Sequence, residues 1–310
     1  MLTYQLFFAI PMGGSNKVLF IVNKHAGTGY SSALEKKILE HCGKRGLGCT
    51  IEFTHGPGHG IALAKMAVEE NMKMVFAVGG DGTVNEVAQG LVGSAVTLGI
   101  LPKGSGNGLA RHLKIPLSMD DALSMLDMDK TKCIDTIQVN GQLSVNVSGI
   151  GFDGHVAGLF ARDGKRGPLT YGKHVVGQFN KFKTFDCEVV VDGKVTKENL
   201  FSISFANSSQ FGNNAYIAPS ASLCDQLIDV CMVNKMNTWQ GLRFVLKLFN
   251  KSLTPSKQVR LFQAREIQMS TNEEVPYHID GEAAGTAARF DIMINPSTLW
   301  VSLPAHAGFI

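Results

Sequence analysis

The sequence predicts a two-part fold, an α/β half built on a parallel sheet followed by a mainly antiparallel β half. Three observations carry this. Between residues 17 and 102, apolar strand-like runs alternate with stretches of helical periodicity. Near residue 132 the pattern changes, and β-rich runs meet at Asn140-Gly141 and Asp192-Gly193, the dipeptides of tight hairpins. The chain has 310 residues, 45% of them hydrophobic, which supports a sizeable core and exceeds one typical domain.

The first half reads as βαβαβαβ. KVLFIVN (17–23) is a buried strand. SSALEKKILEHC (31–42) is a helix with Leu34, Ile38 and Cys42 on one face, and Ser32 with Glu35 matches a capping box. CTIEFT (49–54) is a strand and IALAKMAVEE (61–70) a helix. MVFAVGG (74–80) shows no polar alternation, as a central parallel strand requires. TVNEVAQGL (83–91) is a helix with a second capping box, Thr83 and Glu86, and AVTLGILP (95–102) is a strand. In the second half LIDVCMVN, VRLFQAREIQM and ARFDIMINPSTLWVSL read as strands, with helical patterns near 169–183 and 238–250. The boundary falls at about 130–136.

The net charge is +3, without the clustered Lys and Arg of a nucleic-acid footprint, so no nucleic-acid partner is expected. The six cysteines form no C-x-x-C pair and lie in apolar segments, which predicts reduced thiols. The start, MLTYQLFFAIPMGG, is too short for a span and lacks the basic beginning of a signal peptide. It predicts a loosely packed extension, with Met12 an alternative start, and leaves only peripheral membrane contact. RDGKRGPLTYGKHVVGQFNKF (162–182) sets basic residues beside an apolar face. It predicts an amphipathic helix packed on the β half, and its N-terminal loop leaves a lipid contact open.

The chemistry gathers at glycine-rich strand ends. VFAVGGDGTVNE runs from a strand through Gly79, Gly80, Asp81 and Gly82 into a helix. Glycine lets a ligand approach the backbone, and a helix start offers free N–H groups and a favourable dipole to an anion. An acid in such a loop repels phosphate unless a divalent cation intervenes or the acid handles a proton, so Asp81 is a Mg²⁺-linked group or a base. A plain turn with Asp81 solvated is the bland alternative. The next strand ends in Lys103-Gly104-Ser105-Gly106-Asn107-Gly108, and the first in a small-residue loop with Asn23, Gly27 and Gly29. Three such ends suit a nucleoside triphosphate. His55 and His59 in THGPGHG flank Pro57-Gly58 and have no third ligand, which predicts exposed loop histidines. SGIGFDG (148–154) matches G-x-G-x-x-G, but the strand before it belongs to a hairpin and no suitable acid follows, against a dinucleotide site.

Gly-Gly-Asp-Gly-Thr-Val-Asn-Glu at 79–86, Leu-Pro-x-Gly-Ser-Gly-Asn at 101–107 and Asp280-Gly281-Glu282 resemble the motifs of the diacylglycerol kinase catalytic domain superfamily, which includes bacterial lipid kinases and sphingosine kinases. Asn23 to Gly27 resembles its Asn-Pro-x-x-G loop, with Lys24 at the proline position, and Thr54 resembles its nucleotide-contacting threonine. The resemblance runs from about residue 17 to 285. It implies an α/β N-terminal Rossmann-like domain (17–133), a mainly antiparallel β-sandwich C-terminal domain (134–296), a segment 297–310 returning to the first domain, and a nucleotide cleft.

The resemblance further implies γ-phosphoryl transfer from ATP, with Mg²⁺, to a lipid hydroxyl. It casts Asn23, Gly27, Thr54, Gly79, Gly80, Asp81, Gly82, Thr83, Asn85, Gly104, Ser105 and Asn107 as nucleotide contacts. Glu282 is its first candidate base and Asp81 the second, while in isolation Asp280-Gly281-Glu282 reads as a β-turn. Asp153 would bond the acceptor headgroup, or cap a helix. Asp225 with the carbonyls of Ser222 and Leu227 would hold a structural Mg²⁺, although Gln226 stands where the family often has glycine. The acceptor is diacylglycerol or a sphingoid-type lipid. Gly-Ser-Gly-Asn-x-Leu-Ala at 104–110 is closer to sphingosine kinases, and the compact length to bacterial lipid kinases. The expected setting is the cytoplasm, with visits to the inner face of the membrane, and an exposed strand edge could support a homodimer. The alternatives are an NAD kinase-like enzyme, since such enzymes share Gly-Gly-Asp-Gly, and a non-catalytic nucleotide-binding regulator. The presence of all three carboxylates speaks against the regulator.

Overall fold

The computed structural model describes residues 15–27, 31–163 and 167–304. The expected N-terminal extension, Gly29, and Lys165 and Arg166 of the basic loop lie outside the described residues. The chain forms two compact units. Of the described residues, those in 15–103, 114–134 and 297–304 make the first, and those in 104–113 and 135–296 the second.

In the first unit four parallel strands, β1 (Ser15–Val22), β2 (Gly48–Phe53), β3 (Met72–Gly79) and β4 (Thr97–Pro102), stand in the order β2-β1-β3-β4. The end of β14 (Glu282–Pro304) pairs parallel with β4, Val301 opposite Leu98. The helices between them are α1 (Ser32–Lys44), α2 (His59–Glu69) and α3 (Asp81–Leu91). Val18–Val22 and Met74–Val78 are buried, which explains their unbroken apolar runs. Phe20 and Phe76 face each other in register and stack with centroids 4.5 Å apart. The chain leaves β1 toward β2 on one side and toward β3 on the other. The carboxyl ends of β1 and β3 therefore meet at a topological switch point, where sheets of this kind open a crevice.

Both expected capping boxes are replaced. Helix α1 is capped one residue earlier, by Ser31, whose side chain accepts from Ala33 N at 3.3 Å. Helix α3 starts at Asp81, two residues before the expected start, because Gly80 takes the extended N-cap conformation. Thr83 then lies inside the first turn, and Glu86 is free to reach another helix. Its carboxylate accepts from Gly58 N (2.8 Å) and Gly60 N (3.0 Å), the amides that open α2. Glu86→Ala should cost about 1 kcal/mol, the usual loss for a helix cap, read as a lowered urea midpoint at unchanged m.

The second unit is mainly antiparallel. Short helices α4 (Gly108–His112) and, in the first unit, α5 (Met119–Met125) precede β5 (Leu126–Val139), β6 (Gln142–Ser144) and β7 (Val147–Gly151). Next come α6 (Phe152–Arg162), α7 (Pro168–Phe179), β8 (Phe185–Val191), β9 (Lys194–Leu200), β10 (Ser202–Ala206) and β11 (Ile228–Val233). The last elements are α8 (Thr238–Phe249), β12 (Val259–Ala264) and β13 (Glu266–Ile279), leading into β14. The strand order is β12-β11-β10-β7-β13-β14. Strand β13 changes partner midway, since 267–271 pair with β8 and 277–278 with β7, across an irregularity between Ser270 and Val275. That corner lets the strands fold over as a sandwich around Ile150, Val189, Phe205, Val230, Met269 and Phe290. A second apolar cluster lies beneath α6, α7 and α8, where Tyr171, Val175 and Phe179 pack, so the basic helix is seated on the β half.

Three hairpin turns share one device. Asn140-Gly141, Asp192-Gly193 and Asp280-Gly281 each have two left-handed central residues, with φ of 50° and 77°, 47° and 80°, and 49° and 87°. A two-residue turn of this kind matches the twist of its flanking strands. Helix α5 was not legible as a separate element in the sequence pattern; the helix that Asp153 was expected to open or cap is α6, with Gly151 at its N-cap and Asp153 in its first turn.

Candidate active site

In the first unit, the strand ends at the switch point are tied together. Asn23 N donates to Val78 O at 3.0 Å, and Thr54 N to Val22 O at 3.0 Å. Asn23 Nδ2 donates to Thr83 Oγ1 at 3.2 Å, while Asn23 Oδ1 accepts from His25 N at 2.9 Å. Lys103 N donates to Gly79 O at 2.7 Å. Glycine is required twice here. A Cβ on Gly79 would collide with the Thr83 side chain, and Gly27, at φ 60°, lies so close to Lys103 O that a Cβ would strike it. Asn23, Gly27, Gly79, Gly80, Thr83 and Lys103 thus come together, with Thr54 at the next strand end. Helix α3 has no side-chain cap, and Asp81 lies half-buried in its first turn, where the helix dipole favours a negative charge. Burial pushes the Lys103 ammonium pKa down. Asn85 is buried along α3, and its Oδ1 accepts from Gln89 Nε2 at 2.6 Å.

His59 departs from the expectation of an exposed loop residue. It is the half-buried first residue of α2, and its Nδ1 accepts from His55 N at 3.2 Å, because a helix start leaves room for the ring to fold back on the loop. Among the described residues no three His, Cys, Asp or Glu side chains gather as metal ligands would.

In the second unit, the turn carrying Asp280-Gly281-Glu282 is anchored from beneath. Asp280 is 5% exposed. Its Oδ1 accepts from Ser144 Oγ (2.6 Å) and Asn146 N (2.9 Å), and its Oδ2 from Val145 N (2.9 Å). These charge-assisted bonds hold the turn rigid and leave Glu282 exposed at the first position of β14. Two positions back along β13, on the same face, buried His278 accepts from Gly281 N at Nδ1 (3.1 Å). The ring proton then sits on Nε2, which lies 3.6 Å from Asp153 Oδ2. Asp153, in the first turn of α6, also accepts from Ser204 Oγ at 3.1 Å and Gly154 N at 3.2 Å. A Cβ on Gly149 would strike the Asp153 carboxylate, so the close approach of β7 depends on that glycine.

The same Asn146 that donates to Asp280 rests against Gly108, at the start of α4. The loop before it is closed by its own asparagine. Asn107 Oδ1 accepts from Gly104 N (3.0 Å) and Asn107 Nδ2 donates to Gly104 O (2.7 Å), with Asn107 left-handed at φ 53°. Its side chain shapes the loop, and Ser105 is the exposed hydroxyl at the tip. Gly106 O accepts from Arg111 Nε at 2.9 Å and Asn213 N at 3.2 Å. The second unit therefore gathers Glu282, Asp280, His278, Asp153, Ser204, Asn146 and the 104–108 loop. The sequence reading missed His278, Ser204, Ser144 and Asn146. His278 alone carried a signal, its period-2 spacing from Asp280.

The 222–227 loop has its own geometry. Gln226 takes φ 62°, the left-handed conformation glycine would adopt, so the turn survives the substitution. Asp135 Oδ2 holds Gln226 N at 2.7 Å, and Asp225 Oδ1 accepts from Leu227 N at 3.1 Å. Gln263 Nε2 lies 3.4 Å from both Asp225 and Asp229. Burial, with the Asp225 charge adding to it, pushes the Asp229 carboxyl up to about 6. The carboxylates of Asp135, Asp225 and Asp229 thus flank this loop, bonded to its own backbone amides and to the Gln263 side chain.

Residues 17–139 match the family described as the diacylglycerol kinase catalytic domain, and residues 146–303 match the YegS C-terminal NAD kinase beta sandwich-like domain. The diacylglycerol kinase of Bacillus subtilis is 27% identical over 258 residues, covering 80% of this chain and 84% of that protein. An uncharacterized protein of Synechocystis is 28% identical over 247 residues, 76% of this chain, and the match spans 56% of that protein's length. A crystal structure of a diacylglycerol kinase from Bacillus anthracis shares the fold, with a TM-score of 0.75 at 21% identity, covering 94% of this chain and 98% of the other. With its glycine-rich strand ends, its late Asp-Gly-Glu turn and both domain matches, the chain belongs to the diacylglycerol kinase catalytic domain family and carries a YegS-type C-terminal domain.

Proposed function

We propose that this protein transfers the γ-phosphoryl group of ATP to a hydroxyl of a lipid acceptor. The observation that carries the reading is the cluster at the switch point of the first unit, where Gly27 and Gly79 admit no Cβ and helix α3 begins without a side-chain cap. That is construction for phosphate, and phosphoryl transfer depends mainly on positioning and charge neutralisation. Gly79, Gly80, Gly82, Thr83 and Asn85 would hold phosphates with the loop of Asn23 and Gly27, and Thr54 and Ser105 would add hydroxyl contacts. Asn107 would act by shaping its loop.

On the acceptor side, Glu282 would take the proton of the lipid hydroxyl as the new P–O bond forms, and Asp153 would hold the headgroup. Asp280 and His278 would act as positioning residues, since one anchors the turn and the other accepts from Gly281 N with its Nε2 3.6 Å from Asp153. Asp81 would face a phosphate-bound Mg²⁺, which supplies charge neutralisation on the phosphates. A second Mg²⁺ would be held by Asp225 and the carbonyls of Ser222 and Leu227. With such a site, Mg²⁺ should raise the melting temperature of wild type by a few degrees, and Asp225→Ala should abolish that shift. An equal shift in both proteins would place the ion elsewhere.

The test is phosphate transfer from labelled ATP with Mg²⁺ to diacylglycerol, monoacylglycerol, sphingoid bases, ceramide, phosphatidylglycerol and NAD, with wild type and Glu282→Ala. Label in one lipid that is lost in the variant supports the reading and names the acceptor. NAD belongs in the panel because the C-terminal domain matches a description that names an NAD kinase-like sandwich. Label in NAD alone, or ATP binding with no transfer to any acceptor, would overturn the lipid-kinase reading.

A further inference from the structure

Helix α8 leaves a broad apolar stripe uncovered. Trp239 is 76% exposed, Leu242 49%, Leu246 52% and Phe249 52%. Their spacing of three, four and three residues places all four on one side of the helix. The opposite side is accounted for, because Gly241 packs against the Phe179 ring of α7 and Leu248 joins the apolar cluster beneath. A soluble surface rarely keeps so contiguous an apolar stripe without an occupant. Neighbouring α7 adds Leu169 and Val176, 90% and 79% exposed, on its own outer side.

The chain that carries this stripe has charge of one sign. Residues 230–265 contain no Asp or Glu, yet carry Lys235, Arg243, Lys247, Lys251, Lys257, Arg260 and Arg265, of which Arg260 is paired with Glu198 at 2.7 Å. Residues 167–185 likewise contain no acid and carry Lys173, Lys181 and Lys183. Arg243 is exposed beside the stripe, and the half-buried Lys247 donates to Thr254 Oγ1 at 3.2 Å, a neutral partner that leaves its charge uncompensated. Lys251 rests over the Tyr216 ring, which fixes its position without cancelling its charge. The helix is also rigid at its start, where Asn237 and Gln240 form a reciprocal capping box. Trp, Leu and Phe on one side with Arg and Lys along its flank is the pattern of a helix that lies in the headgroup plane of an anionic bilayer.

We propose that the exposed stripe of α8 docks this protein onto the surface of an anionic lipid bilayer. Trp239, Leu242, Leu246 and Phe249 enter the interface, while Arg243, Lys247 and Lys251 meet the headgroups. This deepens the lipid-kinase reading by naming the face that meets the lipid phase, but its test needs neither ATP nor turnover.

The experiment measures binding of the full chain to phosphatidylcholine vesicles with and without phosphatidylglycerol, by sedimentation. Trp300→Phe, made in parallel, leaves Trp239 as the one tryptophan reporter, since the chain has two. Wild type should bind only the anionic vesicles and release them in high salt, with a blue-shifted Trp239 emission quenched by brominated lipid. Arg243→Glu with Lys247→Glu should weaken binding by at least about 25-fold, roughly fivefold for each charge lost at the surface. Leu242→Ser with Leu246→Ser should weaken it comparably with an unchanged melting temperature, because both residues are exposed. In both double variants, phosphate transfer to an acceptor presented in detergent micelles should stay at the wild-type rate. Binding undiminished in both variants would overturn the proposal, as would no binding by wild type. A dimer in sedimentation velocity that Leu242→Ser with Leu246→Ser dissociates, without vesicle binding, would instead assign the stripe to a second copy of this chain. Vesicle binding as expected with no transfer to any acceptor would defeat the kinase reading and leave the docking surface standing.

Discussion

Glu282→Gln should lower kcat by about 10²- to 10⁴-fold, the usual contribution of a general base, while the melting temperature stays within about a degree of wild type. The separation of the two readouts follows from the geometry. Glu282 is the exposed first residue of β14, and the turn before it is held by Asp280, His278 and the backbone of 145–146. Glutamine keeps the size and polarity of the side chain and removes only its ability to take a proton. KM for ATP should change little, because Glu282 is not among the proposed phosphate contacts. A kcat within a few-fold of wild type would shift the role of base to Asp81, and Asp81→Asn would then show the large loss.

Asp280→Ala should have the opposite profile, a large loss of stability that takes activity with it. The carboxylate is buried and accepts from one hydroxyl and two backbone amides. Hydrogen bonds to a charged group contribute about 1.5–3 kcal/mol each, and a donor left buried without a partner costs about 1–3 kcal/mol. Because such effects do not add fully, the expected loss is about 3–5 kcal/mol. In a unit of this size that lowers the melting temperature by roughly 6–20 °C, measurable by calorimetry. A shift under about 2 °C would show that the carboxylate is not the anchor of the turn. Ser144→Ala removes one of the three donors and should fall between wild type and Asp280→Ala. Comparison with Glu282→Gln then separates a residue that holds the turn from one that reacts at it, although the two stand only two positions apart.

The alternating pattern of the first half was legible because a central parallel strand is buried on both faces, which forces runs such as those at 18–22 and 74–78 to be apolar throughout. The three two-residue hairpins were written in the sequence for a local reason. Both central positions must be left-handed, and Asn-Gly and Asp-Gly tolerate that conformation. The glycine-rich strand ends were legible on the same ground, since close approach at Gly27 and Gly79 admits no side chain. Short polar side chains were less legible. Glu86 stands where a capping box for its own helix would place it, but serves α2, 26 and 28 residues earlier. Asn107 has the look of a ligand contact, and that its side chain also closes its own loop was not legible.

By itself, then, the sequence determined the order and kind of most elements, the hairpin turns and the glycines at the strand ends, because each depends on conformational limits felt within a few residues. Only the tertiary structure decided that Asp280 is buried under Ser144, Val145 and Asn146, that His278 lies between the turn and Asp153, and that one side of α8 is left bare. Those facts depend on partners that folding brings together from 50 to more than 130 positions away, and local periodicity carries no record of such distances.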